Sequence, residues 1–177
     1  MRLKNFSIYD IALVSVFVAV ISVCSFITVP FAVPFTMQLF GVFLSVGLLG
    51  MKRGTVCIVA YILLGLTGAP VFSSLQGGVQ VLMGQTGGFL VGFVFAALVS
   101  GFIIDKWGRK FKTVLLSMLC GLLICYICGA LWLFAAFNFD FKSVIILTLP
   151  LLVFDVLKVT LAAYLSLKLK KFVRYLK

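Results

Sequence analysis

The run VLLSMLCGLLICYICGALWLFAAF, from Val114 to Phe137, holds 24 residues and no charge. As a helix it would rise about 36 Å, enough to cross a hydrocarbon core of about 30 Å. Lys110 and Lys112 stand just before it, and the polar corner Asn138-Phe139-Asp140 follows it. Five further apolar runs are bounded in the same way, at residues 8–29, 36–50, 54–68, 87–104 and 150–167. The expected fold is therefore an all-α integral membrane protein of six transmembrane helices, forming a single domain over residues 1–177. The runs at 36–50 and 54–68 are short for full spans. The first run is longer than a signal-peptide core and no small-residue cleavage site follows it, so it is expected to be retained.

Composition agrees. Of 177 residues 64% are hydrophobic and 11% are charged, against about 45–50% and 25% in soluble domains. Disorder and a sizeable aqueous domain are both excluded. The net charge of +11 does not point to nucleic acid, because the basic residues sit at the ends of apolar runs. With the N-terminus placed in the cytoplasm, Arg2 and Lys4, then Lys52 and Arg53, then Lys106, Arg109, Lys110 and Lys112, then the cluster Lys168 to Lys177 all fall inside. That accounts for thirteen of the fifteen basic residues; Lys142 falls outside and Lys158 within a span. The positive-inside rule thus puts both termini in the cytoplasm of a multi-pass cell-membrane protein, with the lipid bilayer as its partner.

Two ionisable residues interrupt the last run. Asp155 and Lys158 are three apart and share a helix face. A charge at mid-bilayer costs roughly 2.5–3.5 kcal/mol, so it is expected to face a partner or a wet cavity. If the helix starts at Pro150, Asp155 lies about 7 Å and Lys158 about 12 Å below the outer surface. Both are then expected to point into a cavity open to the outside; a self-satisfied ion pair is the plainer alternative.

Between the third and fourth runs, residues 65–92 hold eight of the sixteen glycines. The uncharged loop carries Phe72, Gln76, Gln80, Gln85 and Thr86, followed by Gly87 and Gly88. Long loops in economical proteins tend to be lids or binding loops. Neutral polar groups and accessible backbone suit an uncharged polar ligand group rather than a metal or a polyphosphate, and no P-loop motif occurs. Gly88, Gly92 and Ala96 recur at spacing four, as for close helix packing. Ala12, Ser15, Ala19 and Ser22 form a second small-residue stripe, equally fit for internal packing or for docking a partner. Cys24, Cys57, Cys120, Cys125 and Cys128 all lie in apolar runs and read as small buried hydrophobes. With no His and few acids, no enzyme, no cofactor and no metal site is expected.

Five segments together resemble the BioY family, the biotin-binding S components of energy-coupling-factor transporters. They are Val33-Pro34-Phe35-Thr36-Met37-Gln38, Leu49-Gly50-Met51-Lys52-Arg53-Gly54, Gly65-Leu66-Thr67-Gly68-Ala69-Pro70-Val71-Phe72, Gly84-Gln85-Thr86-Gly87-Gly88-Phe89, and Pro150 followed by Asp155-x-x-Lys158. The resemblance implies six membrane helices and capture of biotin from outside. It also implies a transmembrane coupling subunit and two cytoplasmic ATPase subunits as partners, ATP being hydrolysed by them. Lys158 would then pair with the ligand carboxylate. Asp155 would hold Lys158 or accept a ureido N–H, with Gln76, Thr86, Gly87 and Gly88 completing the ureido contacts. Phe72 would cover the rings, and Gln38 is a further candidate. The stripe Ala12, Ser15, Ala19 and Ser22 would dock the coupling partner. The chain departs from the family pattern at Gln85, where a proline is usual, and at Phe89, where a tyrosine is usual; Gln76 stands where Ser or Asn is common.

Three rival readings follow from the same residues. Gly101 to Lys110 fits the cytoplasmic loop of major facilitator transporters, Gly-x-x-x-Asp-Arg-x-Gly-Arg-Lys, although a basic turn around Gly108 explains it equally. An enzyme acting on lipid headgroups would need clustered acids, and the inner face offers only Asp10 and Asp105. Another carboxylate-bearing vitamin would satisfy Lys158 as well as biotin does.

Overall fold

The computed structural model describes residues 7–29 and 34–175, with side chains through Lys170. Arg2, Lys4, the stretch Pro30 to Val33, Lys177, and the side chains of Lys171 and Arg174 lie outside the described residues. Helix α1, Ile8–Phe26, begins where Ser7 donates its N–H to the Asp10 carboxylate at 3.2 Å. Strand β1, Thr28–Val29, pairs antiparallel with β2, Phe35–Thr36, setting Thr28 opposite Thr36. Then come α2, Gln38–Leu66, a single 3-10 turn at Ser73–Leu75, and the short α3, Val79–Met83. Helices α4, Gly87–Trp107, α5, Phe111–Phe137, and α6, Phe141–Tyr175, complete the chain.

Five of these helices are long and apolar enough to cross a membrane. Helix α2 supplies two of the six expected spans. Gly50 sits inside it at φ 79° and ψ −174°, a conformation open only to glycine. A Cβ built on Gly54 would lie 2.9 Å from the Cα of Val46, whereas eight residues of straight helix separate such atoms by about 12 Å. The helix therefore doubles back at Gly50 into two limbs, residues 38–49 and 51–66. The sequence led us to expect a gap between 50 and 54; the chain turns on one glycine instead. Every residue from Gly41 to Gly50 is buried, so the first limb runs through the centre of the bundle.

Breaking a helix leaves carbonyls at one end and N–H groups at the other without partners. Where they are buried, such groups need partners from the protein. The segment Gly101 to Lys110 supplies them. The Arg109 guanidinium donates to the carbonyls of Gly47 and Leu48, the latter at 3.3 Å. The Asp105 carboxylate accepts the Met51 N–H at 3.0 Å and lies 3.7 Å from Arg109. Gly101 lets α4 approach until a Cβ there would strike Met51. Burial lowers the pKa of Arg109, and the neighbouring Asp105 opposes that shift. The residues that fit a facilitator loop are thus caps on a broken helix.

The same end collects the other charges. Arg53 pairs with Asp10 at 2.6 Å, tying the start of α1 to the turn of α2. Helix α6 returns there too, since a Cβ on Gly47 would lie 2.6 Å from Cβ of Ser166. Gly92 packs on Cys125, where an added Cβ would be 3.0 Å from its Cα, and Ala96 is fully buried. The small-residue stripe of α4 therefore serves α4–α5 packing. Ser100 adds a hydrogen bond to the Ser117 carbonyl at 3.0 Å.

Helix α6 corrects the expected start of the last span. It begins at Phe141 and carries Pro150 in its interior. The proline removes one ladder bond, from its own missing N–H to the carbonyl of Ile146. Helix persists on both sides because unpaired backbone in lipid would be worse. Asp155 is thus about 21 Å along the helix rather than about 7 Å.

Gly50→Ala is expected to destabilise the protein by about 1–3 kcal/mol, through a disallowed backbone and a Cβ 2.9 Å from Asp105 Oδ1. Thermal unfolding in detergent measures it; an unchanged midpoint would refute the fold-back geometry.

Candidate functional site

An amine buried in lipid needs three acceptors or their equivalent. Lys158, 6% exposed, finds them. Its Nζ donates to Asp155 Oδ1 at 2.7 Å and to the Thr36 carbonyl at 2.7 Å. The Phe35 ring covers it, with the centroid 3.6 Å from Nζ. Phe35 is held edge-on by Phe154, centroids 5.4 Å apart. The second oxygen of Asp155 accepts the Tyr126 hydroxyl at 2.7 Å. Helices α5 and α6 and strand β2 are thereby joined at one ion pair.

Asp155 borders a cavity of about 640 Å³, counting its mouth. Its walls are mainly apolar, from Leu39, Phe72, Leu90, Phe93 and Leu151. The polar groups that reach it belong to Gln38, Ser73, Thr86, Tyr126 and Asp155. Few polar anchors in a largely apolar pocket are what a small-molecule site requires. Gln38 is fixed from behind. Its Nε2 donates to Tyr61 Oη at 3.0 Å, and Tyr61 donates to the Val71 carbonyl at 2.8 Å. Ser25 donates to the same carbonyl. Phe72 is 1% exposed and meets Tyr61 edge-on at 5.5 Å. Its ring lies on Gly65, where any Cβ would collide with it.

The glycine-rich loop is an ordered cover. The Gly78 N–H donates to the Gly65 carbonyl at 2.7 Å, and Phe72 N–H donates to the Gln76 carbonyl at 2.9 Å. Gly78 holds φ 91°, and Ser74 and Leu75 hold φ 57° and 58°. Beside the cavity lies a vestibule of about 1050 Å³, counting the open solvent at its mouth. Pro34, Ser73, Val81 and Thr86 border both spaces, so the two adjoin.

The structure brings Asp155, Gln38, Thr86 and Phe72 together around the cavity. Gln76 lines the vestibule instead. Lys158 was expected to point into the cavity; it lies behind Asp155 and is absent from the lining, because Thr36 and Phe35 occupy its head. Gly87 and Gly88 are not lining residues either. An added Cβ on Gly87 would strike the Leu82 carbonyl, and one on Gly88 would strike Trp132, so both serve helix packing. In the α1 stripe Ala12, Ser15 and Ala19 are exposed, while Ser22 is buried and donates to the Val18 carbonyl at 2.9 Å. Sequence reasoning missed Tyr126, Ser73, Leu90 and Phe93. Tyr126 had a readable signal: a phenol in the middle of an apolar span needs a hydrogen-bond partner. Phe89 packs edge-on to Tyr126 at 6.0 Å and also borders the cavity.

Comparison with known proteins bears on this site. The profile of the BioY family matches residues 1–175. A biotin transporter BioY of Thermotoga maritima is 41% identical over 157 residues, covering 88% of this chain and 92% of that protein. A probable biotin transporter BioY of Pyrococcus horikoshii is 37% identical, covering 91% and 96%. The crystal structure of an S component for biotin from an ECF-type ABC transporter superposes with a TM-score of 0.88. It is 26% identical and the match covers 97% of this chain and 95% of that one.

Lys158→Met leaves Asp155 buried without its counter-charge, and is expected to cost about 3–5 kcal/mol of stability. The double variant Asp155→Leu, Lys158→Met should regain most of it. Unfolding midpoints of both in detergent check this; a double variant no better than the single one would refute it.

Proposed function

The chain belongs to the BioY family, and from that premise we infer that it is the biotin-capturing S component of an energy-coupling-factor transporter. It is a multi-pass membrane protein and not an enzyme. One observation carries the site: a carboxylate, charge-balanced by Lys158 and steadied by Tyr126, faces a mostly apolar cavity. Biotin offers a ureido group with two N–H donors, a neutral bicycle and a carboxylate. Asp155 accepts the ureido N–H, a charge-assisted bond. Thr86 and Gln38 stand within the same lining to serve the ureido carbonyl. Phe72, Leu90 and Phe93 cover the bicycle. Gln76 meets the tail in the vestibule, and Gly87 and Gly88 bring Thr86 to the rim by letting α4 pack closely. Lys158 acts through Asp155 and through β2.

Charge orients the bundle. The end with Lys52, Arg53, Lys106, Arg109, Lys110 and Lys112 faces the cytoplasm, with both termini, and the cavity opens outward. This chain binds; partner subunits supply the energy. A transmembrane coupling subunit docks on the exposed small residues Ala12, Ser15 and Ala19; Ser15 and Ala19, with Ser22, Ala60 and Leu64, border a groove between α1 and α2. Two cytoplasmic ATPase subunits complete the assembly.

Asp155→Asn is expected to weaken biotin binding by about 1.5–3 kcal/mol, tenfold or more, and Tyr126→Phe by about 0.5–1.5 kcal/mol. Equilibrium binding to the purified, folded variants measures both; wild-type affinity in Asp155→Asn would remove Asp155 from the site. Replacing Ala12 and Ala19 together by Trp should leave binding intact and abolish ATP-driven uptake in cells carrying the partner subunits. Unchanged uptake would place docking on another face.

A further inference from the structure

With the ureido group at Asp155, the vestibule is the adjoining space for the ligand's far end, and among the described residues none that lines it is charged. Its lining is Pro34, Val81 and a set of neutral polar or glycine residues that includes Ser73, Ser74, Gln76, Gln80 and Gln85. Of the cations near this end, Lys142 borders neither space, and Lys158 is spent on Asp155, Thr36 and Phe35. The loop stretch Pro30 to Val33 carries no charge by sequence. The charged group that does face the cavity is itself an anion, Asp155. A ligand carboxylate placed beside it would be repelled. The carboxylate of biotin therefore projects into the vestibule, where neutral hydroxyl and amide groups meet it.

A site that reads a carboxylate without a cation reads it as a polar group and not as a charge. We propose that this protein also captures biotin derivatives whose carboxylate is capped as a neutral amide, biotinyl-lysine and biotin carboxamide among them. The proposal rests on the placement of the ureido group at Asp155 given above. The vestibule is open to solvent and leaves room for an amide-linked extension. Hydroxyls and primary amides both donate and accept, so Ser73, Ser74, Gln76 and Gln85 serve an amide as readily as a carboxylate.

Competition against labelled biotin on the purified full-length chain tests this. Biotin carboxamide and biotinyl-lysine are expected to displace the label with affinities within about tenfold of biotin. An amide more than tenfold weaker would overturn the proposal and return the carboxylate to Lys158. Failure of biotin itself to bind would strike at the proposed function instead. A second variant reads the charge directly. Gln85→Glu places an anion in the vestibule and should weaken biotin by about threefold or more while sparing the uncharged carboxamide. An equal effect on both ligands, or none on either, would overturn the proposal.

Discussion

An ammonium group inside a bilayer cannot be left to itself, and the cavity half of this protein is arranged around that constraint. Lys158 takes one acceptor from its own helix, one from the backbone of β2 and one aromatic face from Phe35. Satisfying it pins the β2 strand against the middle of α6. It also leaves Asp155 with one oxygen committed to the amine and the other to Tyr126. The acid is thus oriented and held at the edge of an apolar void, where an N–H donor finds it preformed. The pair contributes less as a source of stability than as a device for keeping a charged acceptor in hydrocarbon, since buried pairs roughly offset their own desolvation.

The opposite end solves a different shortage, that of backbone partners. Folding α2 back on Gly50 frees carbonyls and N–H groups, and Arg109 and Asp105 answer them from the α4–α5 corner. Arg53 and Asp10 fasten α1 to the same turn. Four charged side chains of both signs therefore act as clamps between helices, beyond the electrostatic orientation their sequence positions announce. The cavity end has fewer such clamps and more loop.

The sequence made the spans legible because apolar run length and flanking charge are one-dimensional signals. It also marked Asp155, Phe72, Thr86 and Gln38, each a residue type out of keeping with its surroundings or its loop. What it hid depended on three-dimensional approach. Nothing local says that Gly87 and Gly88 make room for Leu82 and Trp132, or that Lys158 is stoppered by a phenylalanine more than a hundred residues away. Pro150 misled because proline is at home in a first helical turn; the apolar residues preceding it extend the helix to Phe141 all the same. Tyr126 went unnoticed because one hydroxyl barely changes the hydropathy of a 24-residue run.

The first limb of α2, residues 38–49, rises only about 18 Å, against a hydrocarbon core of about 30 Å. A helix so short would distort the lipids touching it. This one touches few, since its neighbours enclose it on all sides. The shortfall is therefore taken up inside the protein as a crater, floored by Gln38 and Leu39 and ringed by taller helices. A solute settling there sits within the bundle, and the protein beneath it is little deeper than the length of that one stunted helix.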